Sequence, residues 1–419
     1  MNKIKTKTRH RNRALTGCMM ALLWLLVPSS IFAQQLAPQH AWSFGLVKSN
    51  VKNVKTDSLG NIYIAGYSDV TADFDPGTAS NPLASAGGYI AKYTPSKQLI
   101  WVTPIVATAV NDFDVSSSGS VAVVGSNGGA IINIYNPAGG LQYSYGLANS
   151  GNNGGSSSYD VTNCIYDKNG NLIVRGRAGT SPAPGFSGPG IGADIDPAPG
   201  FQSATTLINA TTDWLMRLSP TFTLLSYKFI GSGIIGSNDF AISGDTLYWA
   251  TSHANTATAV DYNQGASPAL LVQEENALIA YRTTNFTPIW GGPFKTGAQK
   301  MLIESTPTGE IALLFQTNYG RNATYTYPID GSYYNTLSPA GSSPHGYYNN
   351  YLLHYNKQTG ALNITNKAPR LLVDSANSLA NLYVSGFNVD KRGNYFISGS
   401  VGGYVDFQNG TGIYSRSSS

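Results

Sequence analysis

Residues 51–101 read VKNVKTDSLGNIYIAGYSDVTADFDPGTASNPLASAGGYIAKYTPSKQLIW. Four short apolar runs are separated by links rich in Gly, Ser, Asp and Pro, which predicts four β-strands. The first half returns as VNDFDVSSSGSVAVVG from Val110, VTNCIYDKNGNLIVRG from Val161 and NDFAISGDTLYWAT from Asn238. It returns again as KMLIESTPTGEIALLF from Lys300 and VSGFNVDKRGNYFISG from Val384. Each copy is an apolar strand, a tight turn and a second apolar strand. Asp or Ser opens most of the turns, and Gly60, Gly119, Gly170, Gly309 and Gly393 sit where φ must be positive. The second strands, such as 62–65 and 121–124, are apolar at nearly every position, as strands covered on both faces are.

The second half, GYIAKYTPSKQLIWV, has four echoes, from Ala130, Asp213, Ala277 and Tyr351. Recurrence at this period decides the architecture of residues 34–419. The expectation is an all-β propeller of about six four-stranded antiparallel blades. The units run approximately over 47–105, 106–147, 158–231, 237–294, 299–367 and 379–419. Residues 40–46, HAWSFGL, resemble a fourth strand and are expected to complete the last blade in part. The sixth unit lacks a third strand, so the reading frame is expected to be truncated or the last blade incomplete.

Residues 1–33 have the form of a signal peptide. Six basic residues from Lys3 to Arg13 precede a ten-residue apolar core at 18–27, with a cleavage-type region ending at Ala33. Ten apolar residues fall short of the roughly 20 that span a bilayer. With the leader removed, 20 basic residues face 22 acidic ones, and the formal charge becomes −2. A nucleic-acid partner is therefore not expected. Nor is a transmembrane span after cleavage. A secreted or cell-surface monomer is expected. Cys164 is the single cysteine beyond the leader and aligns with Val54 and Phe113, so it reads as a core thiol.

In a four-stranded meander the 2–3 and 4–1 links emerge on one face. The 2–3 links are the inflated ones, as at 68–86, 178–212, 253–276 and 318–350, so that face is the expected functional face. An acidic box recurs in them: Asp73-Phe74-Asp75-Pro76-Gly77, Asp194-Ile195-Asp196, Asp261-Tyr262-Asn263 and Asp406-Phe407-Gln408. Asp73, Asp75, Asp194, Asp196 and Asp261 could offer paired oxygens to Ca²⁺. The other reading is an Asx turn that packs the central residue inward. The D-F-D-P-G box between such hairpins, followed by GGYIAKY and a Trp one strand on, resembles the secreted bacterial propeller repeats called SBBP repeats. The resemblance implies a displayed or secreted propeller and brings no common catalytic residues.

Tyr325, Tyr327, Tyr333, Tyr334, His345, Tyr347 and Tyr348 crowd one loop. Tyrosine rings stack on sugars, so these residues are candidate ligand contacts; packing the loop onto the propeller mouth is the alternative. Catalytic signatures are missing: there is no G-x-S-x-G, H-E-x-x-H or Gly-rich phosphate loop. Three functions fit. The first is a non-enzymatic binding propeller for a glycan or protein. The second is a polysaccharide hydrolase or lyase using Glu274 or Glu275. The third is a structural spacer of a larger surface protein.

Overall fold

The computed structural model describes residues 46, 49–69, 72–77, 81, 83, 86–105, 109–126, 129–146, 156–181, 212–230, 234–253, 260–263, 271–272, 276–294, 298–317, 349–361, 370–371, 381–402, 404–406 and 415–417. The chain divides into Met1–Gln39, none of it described, and His40–Ser419, which holds every described strand. No helix is found among the described residues.

Five sheets have four antiparallel strands each. The first is β1 (Ser49–Thr56), β2 (Ile62–Ser68), β3 (Gly87–Tyr93) and β4 (Leu99–Pro104). The second is β5 (Ala109–Val115), β6 (Val121–Ser126), β7 (Ala130–Tyr135) and β8 (Leu141–Gly146). The third is β9 (Ser156–Tyr166), β10 (Leu172–Ser181), β11 (Thr212–Leu218) and β12 (Leu224–Ile230). The fourth uses β13 (Ile234–Ser243), β14 (Thr246–His253), β17 (Asn276–Arg282) and β18 (Pro288–Phe294). Between its second and third strands lies a small ribbon of β15 (Val260–Asp261) and β16 (Leu271–Val272). The fifth is β19 (Ala298–Ser305), β20 (Glu310–Thr317), β21 (Asn349–Asn356) and a short β22 (Arg370–Leu371).

The sixth recurrence differs from the expected four-stranded blade. Among the described residues it is a two-stranded sheet, β23 (Asn381–Val389) and β24 (Tyr395–Gly402). A second ribbon joins β25 (Tyr404–Asp406) to β26 (Ser415–Ser417), and neither pairs with β24. Residues 40–45, the expected completing strand, lie outside the described residues.

The sheets form a β-propeller. The first strand of each is innermost: β1 packs on β5, β5 on β9, β9 on β13 and β13 on β19. β23 in turn lies against both β19 and β1. The second strands are sandwiched between neighbours, so Ile62, Ile64, Val121, Val123, Leu172 and Val174 are all buried. Each such side chain contributes roughly 1.5–3 kcal/mol by leaving water. The five turn glycines have φ between +77° and +84°. Asp57, Asp167 and Asp390 hold these turns, each accepting backbone N–H bonds two and four residues on.

The Gly that ends many second strands has a different cause. The innermost strand bulges opposite it, with register shifts at Val51/Asn53, Val110/Asp112 and Val384/Gly386. The bulge pushes a carbonyl into the space a side chain would fill. A Cβ on Gly66, Gly125 or Gly399 would lie only 1.9–2.2 Å from the oxygen of Asn50, Ala109 or Tyr383. Neighbouring blades are also tied by their fourth-strand tryptophans. Trp101 Nε1 donates to Pro137 O at 3.1 Å, and Trp290 Nε1 to Lys357 O at 3.2 Å.

Candidate functional site: the central channel and the loop face

The bulges turn a polar set of residues toward the propeller axis. In VKNVKT these are Asn53 and Lys55; in VNDFDV they are Asp112 and Asp114. Asp112 accepts from its own strand at Phe113 N (2.8 Å), from Asn53 Nδ2 of the preceding blade (2.6 Å) and from Cys164 N of the following blade (3.1 Å). Asp239 repeats the device, accepting from Phe240 N and from Ile303 N of the next blade at 2.9 and 3.0 Å. Asp114 accepts from Tyr166 N at 2.7 Å. One carboxylate thus joins adjacent blades where they crowd the axis.

A buried ion pair lies among these acids. Lys55 Nζ meets Glu304 Oε1 at 2.5 Å, and Asn388 Nδ2 donates to the same oxygen at 3.1 Å. Asn388 Oδ1 accepts from Thr56 Oγ1 at 2.7 Å, so β1, β19 and β23 meet here. Burial alone would discharge Lys55, but the charges of Glu304, Asp114, Asp239 and Asp112 outweigh it and hold its pKa above the usual lysine range. Burial raises Asp114 to about 7 and Asp239 to about 8, against the pull of Lys55. Asp112 is raised for the same reason.

Above this cluster the channel widens into a cavity of about 500 Å³. It lies between the starts of the inner strands and the ends of β6 and β10, on the face from which the 2–3 links emerge. Its walls are polar and charged: Lys52, Asn111, Asp160, Arg177, Lys300, Tyr383 and Ser385 all face it. Arg175, also on its wall, is buried; its guanidinium pairs with Asp213, bonds Thr162 Oγ1 at 2.7 Å and lies 5.2 Å over the Trp249 ring. Lys300 Nζ donates to Ser385 O at 2.7 Å and sits 5.3 Å over the Tyr383 ring. Burial first, and then the charge of Lys52, lower the Lys300 pKa to about 8.

The acidic boxes at Asp73 and Asp261 form Asx turns; Asp406 ends β25, and the rest of its box lies outside the described residues. Asp73 Oδ1 accepts from Asp75 N and Asn81 N, both at 3.0 Å, and Asp75 Oδ1 accepts from Gly77 N at 2.8 Å. Asp261 Oδ1 accepts from Asn263 N at 2.8 Å. Phe74 and Tyr262, the central residues, are fully buried. Each backbone carbonyl there is held by a third-strand tyrosine: Tyr93 OH donates to Phe74 O (2.9 Å) and Tyr281 OH to Tyr262 O (3.0 Å). No cluster of three metal-ligating side chains occurs among the described residues. Asp194 and Asp196 lie outside them. So do Tyr325, Tyr327, Tyr333, Tyr334, His345, Tyr347 and Tyr348, and Glu274 and Glu275.

Cys164 is a core thiol, 2% exposed, with burial pushing its pKa well up. His354 is buried between Glu310 (3.1 Å from Nδ1) and Tyr395 (3.3 Å from Nε2). Sequence reasoning passed over the axial residues. Their signal was there: polar side chains at matching positions of otherwise apolar first strands.

An SBBP family model, described as a β-propeller repeat, matches residues 31–75. That stretch contains β1, β2 and the Asp73-Phe74-Asp75 part of the first acidic box; GGYIAKY and Trp101, which also carry the resemblance in the sequence, lie beyond it. No curated protein matches the chain. Among solved structures, U3-55K shares 9% identity over 87% of this chain and 93% of its own, with a TM-score of 0.43. The RRP9 WD40 repeats share 7% identity over 90% and 96%, with a TM-score of 0.42. A functionally unknown protein from Desulfotomaculum acetoxidans DSM 771 shares 12% identity over 87% and 84%, with a TM-score of 0.39. Likenesses this distant say nothing of what this chain binds.

Proposed function

We propose that this protein is an exported, non-enzymatic propeller that holds a glycan or protein partner at its long-loop face. The observation that carries the reading is the polar cavity of about 500 Å³ at the end of the axial channel. That volume is within the ordinary range for a small-ligand site. It lies on the face where the long 2–3 links emerge, and a rigid scaffold that displays loops around a cavity is a common binding arrangement. The basic start, the ten-residue apolar core and the small-residue region ending at Ala33 support export.

We also infer that the β23–β24 hairpin is the inner half of a sixth blade, with residues 40–46 as an outer strand. The packing of β23 between β19 and β1 supports that reading. Glycan and cell-surface-extract arrays probed with the full chain test the binding function. Binding should be lost when Tyr333, Tyr334, Tyr347 and Tyr348 are replaced by Ala. No binding to any surface would overturn the proposal.

A further inference from the structure

Building on the binding reading above, we propose that the channel mouth takes an acidic sugar, a uronate residue of a polysaccharide. Its carboxylate would lie between Lys300 and Lys52, and its ring would lie on Tyr383.

The axial acids are already committed to partners. Asp112 is occupied by three donors and Asp239 by two backbone N–H groups. Glu304 is taken by Lys55 and Asn388. Lys300 is half-buried, yet its ammonium bonds a carbonyl, Ser385 O, and no carboxylate pairs with it among the described residues. Lys52, close enough to depress its neighbour's pKa, is exposed and likewise has no ion-pair partner among the described residues. Two cations at one end of a cavity without a paired anion form a receptor for a carboxylate.

The rest of the wall selects a sugar over an acidic peptide. Tyr383 is 42% exposed, so a pyranose can lie against its ring beside the Lys300 ammonium. Asp160 is an exposed carboxylate on the same cavity. Asn111 donates its amide to Val161 O at 2.7 Å, which leaves its side-chain oxygen as an acceptor. Sugar hydroxyls would donate to both. A run of peptide carboxylates has no hydroxyls to donate to them.

The site also carries a pH signature. Lys300 faces Lys52 from β1, Asp112 from β5, Asp239 from β13 and Tyr383 from β23, with Glu304 further along its own strand. As pH rises through about 8, Lys300 loses its charge and Asp239 gains one. Both changes act against a bound anion, so affinity should fall from pH 6.5 to pH 9.

Calorimetric titration of the full chain with trigalacturonate, a neutral galactose trisaccharide and hexaglutamate tests the assignment. Trigalacturonate should bind, about tenfold more weakly in Lys52→Gln and in Lys300→Gln. Lys52→Gln should melt with the wild type, because its side chain is exposed. Equal binding of the neutral trisaccharide, preference for hexaglutamate, or unchanged affinity in both variants would overturn the assignment. If surface extracts still bind in those cases, the wider binding function stands. If nothing binds, both fall.

Discussion

Replacing Lys55 by Met removes the cation on which the axial cluster is built. The stem volume is retained, so the change is electrostatic and leaves no large cavity. Lys55 and Glu304 are 6% and 10% exposed at the side chain, so both are already stripped of water. Without the ammonium, Glu304 keeps, among the described residues, the 3.1 Å bond from Asn388 alone. Asp112, Asp114 and Asp239 lose the charge that lowers their pKa values. Removing one partner of a buried pair costs about 3–5 kcal/mol. Asp114 and Asp239, which titrate near 7 and 8, can answer the loss of the cation by keeping their protons, so the expected loss is set by Glu304 and lies within that range. Urea denaturation at pH 7, extrapolated linearly to water, measures it. The double variant Lys55→Met/Glu304→Leu should regain part of the loss, since an apolar pair can replace a buried ion pair at little cost. A single-variant loss below about 1 kcal/mol, or a double variant no more stable than the single, would refute the reasoning.

Wild-type stability should fall as pH rises from 5 to 8. Asp114 and Asp239 titrate near 7 and 8 when folded, against the ordinary 3.8, so the folded state holds the extra protons in that window. A flat urea midpoint across this range would exclude them as buried acids. Gly125→Ala should cost about 1–3 kcal/mol, because its Cβ would lie 2.0 Å from Ala109 O, whereas Gly129→Ala meets nothing within 4 Å and should be neutral in the same urea assay. Tyr93→Phe should lose about 1 kcal/mol with the bond to Phe74 O, read as a lowered melting temperature. Chelator should leave the melt unchanged, since the Asp73 and Asp75 oxygens already serve their Asx turns; a clear fall would assign calcium to the acidic boxes.

The hairpins were legible because their causes are local. A glycine that must take positive φ, an Asp or Ser two to four residues before the N–H it holds, and a run of apolar side chains all act within one turn. The buried 62–65 and 121–124 strands follow from the same short-range pattern, and so does Cys164 at the position of Val54 and Phe113. The second-strand glycine was visible too, but its cause was not, since the carbonyl it avoids belongs to the bulged partner strand.

From its residues alone, the chain declared repeated β-meanders, buried second strands and long links gathered on one side. Only the tertiary structure decided what the axis contains. Lys55 and Glu304 are 249 positions apart, Thr56 and Asn388 are 332 apart, and Asn53 and Asp112 are 59 apart. Each of these polar residues, taken singly, looks like an ordinary solvated strand position. Closure of the inner strands around the channel removes their water and leaves them one another as partners, so their charges and pKa values are properties of the ring.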